Sequence, residues 1–226
     1  MIGLAFSGGK DSWACLQLYK EQLSDITVLW INTGKNYPDA LESVNLAKAI
    51  CPNFIEIKVD RESQNTLNGI PSDIVPIANT VFGQSVTGKQ DVTIQSYLQC
   101  CFDNISAPLN AKVKELGITT LISGKRNDEG HLSNCSHGQL VDGVQHLHPI
   151  ETWSAKEVLS YLALHMQVPK HFELSHSSLD CYDCPAYLKD TKDILEWSKQ
   201  YPDLHHKKMI RIHQLKAVLT EAMGNI

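Results

Sequence analysis

The chain has 226 residues, 42% of them hydrophobic, and a formal charge of −5 at pH 7. That length and apolar content suffice for a sizeable core in one α/β domain, and no apolar run reaches the roughly 18 residues that a membrane-spanning helix needs. The acidic balance argues against a broadly basic nucleic-acid surface, and seven cysteines without a secretory leader read as metal ligands, reactive thiols or core residues in a protein expected in the cytoplasm.

Residues 2–6 form a short apolar run of strand length, and residues 13–19 follow with Leu16 and Tyr19 on one helical face. Between them stands Ser7-Gly8-Gly9-Lys10-Asp11-Ser12, so the order is strand, glycine turn, helix. The first N–H groups of a helix lack partners within it and carry partial positive charge, which suits an anion. Gly8 and Gly9 let the backbone approach phosphate oxygens, Ser7 and Ser12 bring hydroxyls, and Lys10 brings a mobile cation. Asp11 suits either a Mg²⁺ beside the phosphates or a helix cap. The spacing is neither that of a Walker loop nor G-x-G-x-x-G.

Residues 26–31 read as a strand buried on both faces, ending in the polar loop Asn32-Thr33-Gly34-Lys35-Asn36. Ligands of open α/β sheets bind beyond the carboxyl ends of strands, so Asn32, Thr33 and Gly34 are expected to face the same crevice as residues 7–12. A helix over 39–50 and a third strand over 54–59 follow. From 60 to about 93 no period persists, which predicts a long, partly mobile excursion over a site. Order returns with a helix over 96–116 and a core strand over 119–123, which runs into Gly124-Lys125-Arg126-Asn127-Asp128-Glu129. A short hairpin over 140–147 precedes Ser154-Ala155-Lys156-Glu157, which has capping-box spacing. Helices over 189–199 and 205–223 close the chain, the latter carrying His205, His206, Lys207, Lys208, Arg211, His213 and Lys216, read as a solvated basic face before a nucleic-acid contact. The expected architecture is a doubly wound, Rossmann-like parallel sheet over 1–187 with a helical extension over 188–226.

Two cysteine pairs form a second constellation: Cys100-Cys101, within a helix, and Cys181-Tyr182-Asp183-Cys184, in a loop about eighty residues on. Four converging thiolates suit Zn²⁺ or an iron–sulfur cluster. Adjacent cysteines diverge by about 100° around a helix, so a compact zinc site demands strain and the broader cluster is preferred. Cys15 and Cys51 fall in helix patterns and read as core, whereas Cys135 is a candidate redox thiol.

These motifs carry a family resemblance. Ser-Gly-Gly-Lys-Asp-Ser resembles the pyrophosphate-binding loop of the N-type ATP pyrophosphatases, the adenine nucleotide alpha hydrolase superfamily. Residues 100–109, with Cys100, Cys101, Pro108 and Leu109, and residues 178–185 around Cys181 and Cys184 are similar to the two cysteine segments of iron–sulfur adenylylsulfate reductases. Residues 124–129 and His148-Pro149-Ile150-Glu151-Thr152-Trp153-Ser154 resemble further segments in the same order, so residues 2 to about 187 are identified as a member of the phosphoadenosine phosphosulfate (PAPS) reductase family. Two departures matter. Sulfonucleotide reductases carry a nucleophilic cysteine near the C-terminus, and residues 185–226 contain none. True reductases have also usually lost the full pyrophosphate loop, which this chain keeps.

The resemblance therefore implies an enzyme that adenylates a substrate with ATP, releases pyrophosphate and couples this to iron–sulfur-dependent sulfur transfer. Catalytic roles fall to Lys10, Asp11, Lys125 and Arg126. Nucleotide or Mg²⁺ contacts fall to Ser7, Gly8, Gly9, Ser12, Asn32, Thr33, Gly34, Gly124, Asp128 and Glu129, and a cluster, 4Fe-4S in preference to zinc, falls to Cys100, Cys101, Cys181 and Cys184. Asp128 and Glu129 equally suit helix capping or pairing with Lys125 and Arg126. The alternatives are a PAPS or adenylylsulfate reductase that forms sulfite with a thioredoxin-like reductant, and a non-catalytic nucleotide or cluster sensor. A sulfur donor, a nucleic-acid acceptor and a homodimer stay open as partners, and a membrane is not expected.

Overall fold

A computed structural model describes residues 1–129, 135–174, 181–186 and 197–224. In chain order the strands are β1 (Ile2–Ala5), β2 (Ile26–Asn32), β3 (Phe54–Lys58), β4 (Ile70–Ser72), β5 (Ile94–Ser96), β6 (Thr120–Ser123), β7 (Leu140–Val141) and β8 (Val144–Leu147). The helices are α1 (Lys10–Leu18), α2 (Pro38–Ile50), α3 (Arg61–Asn68), α4 (Val81–Thr87), α5 (Tyr97–Cys101), α6 (Ala107–Glu115), α7 (Ala155–His165), α8 (His171–Leu174) and α9 (Pro202–Met223). The helix expected over 96–116 is realised as α5, a π-helical turn at Phe102–Ser106 and α6. Most of the helix expected over 189–199 lies outside the described residues.

Packing groups the residues into two units: the first holds 1–32, 37–58 and 108–179, the second 33–36, 59–107 and 180–226. The first is built on a six-stranded sheet of order β3-β2-β1-β6-β8-β7, parallel except for the β7–β8 hairpin. This is the expected Rossmann-like α/β architecture. Its core follows from the strand period of two: Leu4, Val28 and Ile122 enter one buried cluster with Trp13, Leu16 and Leu162, while Leu29 and Leu121 enter another with Val113 and Ile118. Each such side chain contributes roughly 1.5–3 kcal/mol of transfer free energy on full burial. The hairpin turns at Asp142-Gly143, both with positive φ (49° and 80°), as a two-residue loop demands. The capping box forms as read: Glu157 N donates to Ser154 Oγ at 3.2 Å, and Ser154 N to Glu157 Oε2 at 2.7 Å.

The strand order has one consequence for function. The chain winds from β1 to β3 on one side and resumes at β6 on the other, so the topological switch point lies between β1 and β6, beyond whose carboxyl ends a ligand belongs.

The second unit corrects the sequence reading. Residues 60–93, expected as a patternless excursion, hold α3, β4 and α4, and β4 pairs in parallel with β5. The cause of the miss is chemical: α3 reads Arg-Glu-Ser-Gln-Asn-Thr-Leu-Asn, and its buried residues are Arg61 and Asn65, so no apolar stripe announces it. Its N-terminus is fixed by Asp60, whose carboxylate accepts from Ser63 N at 3.0 Å. Ile94 of β5 packs with Leu215 and Val218 of α9 in a small apolar core. Among the described residues no helix is long and apolar enough to cross a membrane.

Candidate functional site

In the first unit the glycine turn joins β1 to α1 at the switch point. Gly8 adopts φ +85°, a conformation that favours glycine, and its carbonyl accepts from Ser43 Oγ at 2.6 Å; Ser43 in turn accepts from Trp13 Nε1 at 2.6 Å. Gly9 caps α1 in extended geometry without a side-chain hydrogen bond to the helix. Ser7 and Ser12 brace the turn from within: Gly9 N donates to Ser7 Oγ at 3.3 Å, Ser12 Oγ to Gly9 O at 2.9 Å, and the two hydroxyls lie 3.2 Å apart.

Lys10 and Asp11 open α1. Lys10 is only 7% exposed, and its Nζ sits 3.2 Å from Asp11 Oδ2. The other Asp11 oxygen accepts from Arg126 Nε at 2.6 Å, and Arg126 Nη1 pairs with Asp128 Oδ1. Asp128 also accepts from Ala155 N at the start of α7, at 3.3 Å. Asp128 thus both pairs with Arg126 and caps the start of α7. The loop after β6 reaches α1 because residue 124 is glycine: a Cβ there would lie 2.6 Å from the backbone carbon and oxygen of Asp11. Lys125 is half-buried in this loop, and Glu129 ends the short helical turn Asn127–Glu129. Asn32, at the end of β2, donates to Glu56 Oε1 at 2.7 Å.

A polar group missed by the sequence reading lies behind this loop. His148, 1% exposed, faces Ser123 Oγ through Nδ1 at 2.9 Å and Cys135 Sγ through Nε2 at 3.6 Å. Burial, then the charge of Lys125, pushes its pKa below the ordinary 6.5, which favours neutral imidazole. Cys15 and Cys51 are core residues as expected; burial pushes their thiols up to about 12 and about 11.

The cysteine pairs both belong to the second unit. Cys100 is buried, and its sulfur accepts from Asn65 Nδ2 at 3.4 Å and Asn104 Nδ2 at 3.7 Å. Cys101 is half-buried, and the π-helical turn follows it directly, a distortion that recurs at functional sites. Cys181 Sγ lies 3.5 Å from Thr33 Oγ1, Gly34 follows with φ +70°, and Cys184 N closes a turn on Cys181 O at 3.0 Å. Thr33 and Gly34 belong to the same unit as these cysteines. Among the described residues no three His, Cys, Asp or Glu side chains converge on a single ion. The chemistry of the donor set does suit an anionic thiolate-bound group, because amide donors meet the Cys100 sulfur and buried Arg61, bonded to Asp183 between Cys181 and Cys184 at 2.6 Å, leaves Nη2 without a partner among the described residues.

Comparison with known proteins gives three findings. A family model described as the phosphoadenosine phosphosulfate reductase domain matches residues 1–187. An uncharacterized protein of Methanocaldococcus jannaschii is 24% identical over 212 residues, which is 91% of this chain and 46% of the relative, so the chain spans about half the length of the curated relative it matches. Among solved structures, the PAPS reductase of Candida auris in its phosphate complex aligns at a TM-score of 0.54, with 15% identity over 80% of each chain. NMN synthetase of Francisella tularensis aligns at 0.48, with 13% identity over 94% of this chain and 85% of its own.

Proposed function

Because the chain belongs to the phosphoadenosine phosphosulfate reductase family, we propose that it is a nucleotide-using enzyme that adenylates an oxygen of its substrate with ATP, releases pyrophosphate and so prepares that carbon for a sulfur nucleophile. The observation that carries this reading is the intact Ser7–Ser12 turn at the β1–β6 switch point, with the N-terminus of α1, Lys10 and Arg126 gathered on it.

The residues present account for the first half-reaction. The free N–H groups of the first turn of α1 and the glycine backbone receive the β- and γ-phosphates. Lys10 and Arg126, both bonded to Asp11, exchange that carboxylate for phosphate oxygens and neutralise charge as pyrophosphate leaves. Asp11 is then released to hold Mg²⁺, which when bound supplies further neutralisation of the polyphosphate. The substrate oxygen attacks the α-phosphorus; AMP becomes the leaving group, and sulfur displaces it in the second half-reaction. A metal–sulfur group held by Cys100, Cys101, Cys181 and Cys184 would supply sulfur or electrons there.

A second reading, sulfonucleotide reduction, is favoured by one contact: Cys135 beside His148 is a thiol with a neutral imidazole next to it, in a chain lacking a cysteine over 185–226. The test runs both assays on the same protein. ATP, Mg²⁺ and a fractionated extract of small molecules and tRNA are followed for pyrophosphate and AMP, and adenylylsulfate or PAPS with dithiothreitol is followed for sulfite. Pyrophosphate lost in Lys10→Ala supports adenylation. Sulfite lost in Cys135→Ser, with no pyrophosphate, would replace it by the reductase, and tight ATP binding without either product by a sensor.

A further inference from the structure

Arg61, the first residue of α3, is 2% exposed, and the adenylation chemistry does not use it. Its Nη1 donates to Asp183 Oδ1 at 2.6 Å, while Nη2, also buried, has no hydrogen-bond partner among the described residues. An unfilled buried donor on a charged group is costly and calls for an explanation. The surroundings supply one. Asp183, which Arg61 meets, sits between Cys181 and Cys184 in the chain, so Arg61 is anchored in the loop that carries the second cysteine pair.

One helical turn later on the same face, Asn65 donates to Cys100 Sγ. Its oxygen accepts from Arg211 Nη1 at 2.9 Å, and Arg211 Nη2 stands 3.5 Å from Asp183 Oδ2. The polar face of α3 thus touches both cysteine pairs, one through Asn65 and the other through Arg61 and Asp183. Asp183, the carboxylate that Arg61 meets, is shared with Arg211, and among the described residues no other acceptor reaches Nη2.

We infer that Arg61 is the built-in counter-cation of a thiolate-bound metal group in the second unit, with Nη2 the donor reserved for its sulfur. This rests on the preceding reading that the four cysteines hold such a group. A group carrying several thiolates is net negative, and a fixed positive charge beside it favours both its assembly and its reduction. Arg61 acts through the cysteines, so it is a positioning residue.

The experiment compares wild type with Arg61→Lys, which keeps the charge, and Arg61→Gln, which removes it. Iron per chain is measured after anaerobic purification, the reduction potential of any bound chromophore by optical titration, and Cd²⁺ affinity of the stripped chain by chelator competition, with circular dichroism as the control for folding. The expected result is near wild-type iron and potential in Arg61→Lys, and in Arg61→Gln a more negative potential, reduced iron and Cd²⁺ binding weaker by on the order of tenfold. If Arg61→Gln does not fold, Arg61→Gln with Asp183→Asn removes the pair together and takes its place, with the same expectation. Equal loss in the Lys and Gln variants would reduce Arg61 to a structural fork for Asp183, and unchanged iron, potential and affinity in Arg61→Gln would likewise overturn the inference while leaving the metal reading intact. A wild-type chain that binds neither iron nor Cd²⁺ would overturn the metal reading itself and the inference with it.

Discussion

Gly124 shows how a single atom sets the geometry of the proposed nucleotide site. The β6 loop delivers Arg126 to Asp11 only because nothing separates residue 124 from the first turn of α1; a methyl group there would meet backbone, which cannot rotate away. Gly124→Ala is therefore expected to lower stability by about 1–3 kcal/mol, measured as the urea midpoint, and to weaken ATP binding as the loop withdraws. Asp11 makes a prediction of the opposite sign. It accepts from Arg126 and pairs with Lys10, so Asp11→Asn removes the carboxylate that competes with an anion for these two cations, while Asp128 keeps its hold on Arg126. Pyrophosphate should then bind more tightly, on the order of tenfold by calorimetry, while Mg²⁺-dependent turnover is lost. Weaker pyrophosphate binding in Asp11→Asn would mean that the carboxylate orders the turn instead of screening it.

At the scale of elements, what sequence could reveal depended on which residues each element buries. β1, β2 and β6 bury apolar side chains, and α7 carries its capping box in plain view, so all were legible, as was the glycine turn they frame. α3 was not, because the face it buries is Arg61 and Asn65, and a period made of polar residues is invisible to a search for hydrophobic ones. The same blindness hid the His148 group, whose members Ser123, Cys135 and His148 meet only through the β6–β8 pairing. The two kinds of helix start respond differently to damage. Ser154→Ala removes the cap of α7 and should cost about 1 kcal/mol in thermal or urea unfolding. Asp60→Ala uncaps α3, whose footing is polar, so amide exchange over 61–68 should accelerate and iron retention fall. Unchanged iron in a chain with a frayed α3 would show that the helix face does not organise the cysteines.

The two units of the whole molecule differ in the chemistry of their shifted groups, and acid should therefore act on them in different windows. In the first unit burial is the leading cause that lowers the pKa of His146, His148 and His171 below 6.5. A depressed folded value means that these histidines contribute stability above the unfolded value near 6.5, and that it is lost as pH falls toward the folded values, because the unfolded chain binds the protons more readily. In the second unit the lowered groups are Asp60, held down by its bonds to Ser63, and Glu62, held down by Lys35, from starting values of 3.8 and 4.5. Their contribution is present above those values and is lost only below them, while Lys35 and Arg61, raised in the fold, stay charged throughout. Hydrogen exchange between pH 7.5 and 5, corrected for intrinsic rates, should show β6, β8 and α7 losing protection first, with α3 and α9 unaffected. His148→Gln keeps a polar side chain for Ser123 but cannot take up a proton, so it should reduce the pH dependence of the first unit, leaving the share of His146 and His171, without touching the second. Loss of protection in both units over the same pH interval would show that they unfold as one cooperative block, and the histidines would then set the acid limit of the entire chain.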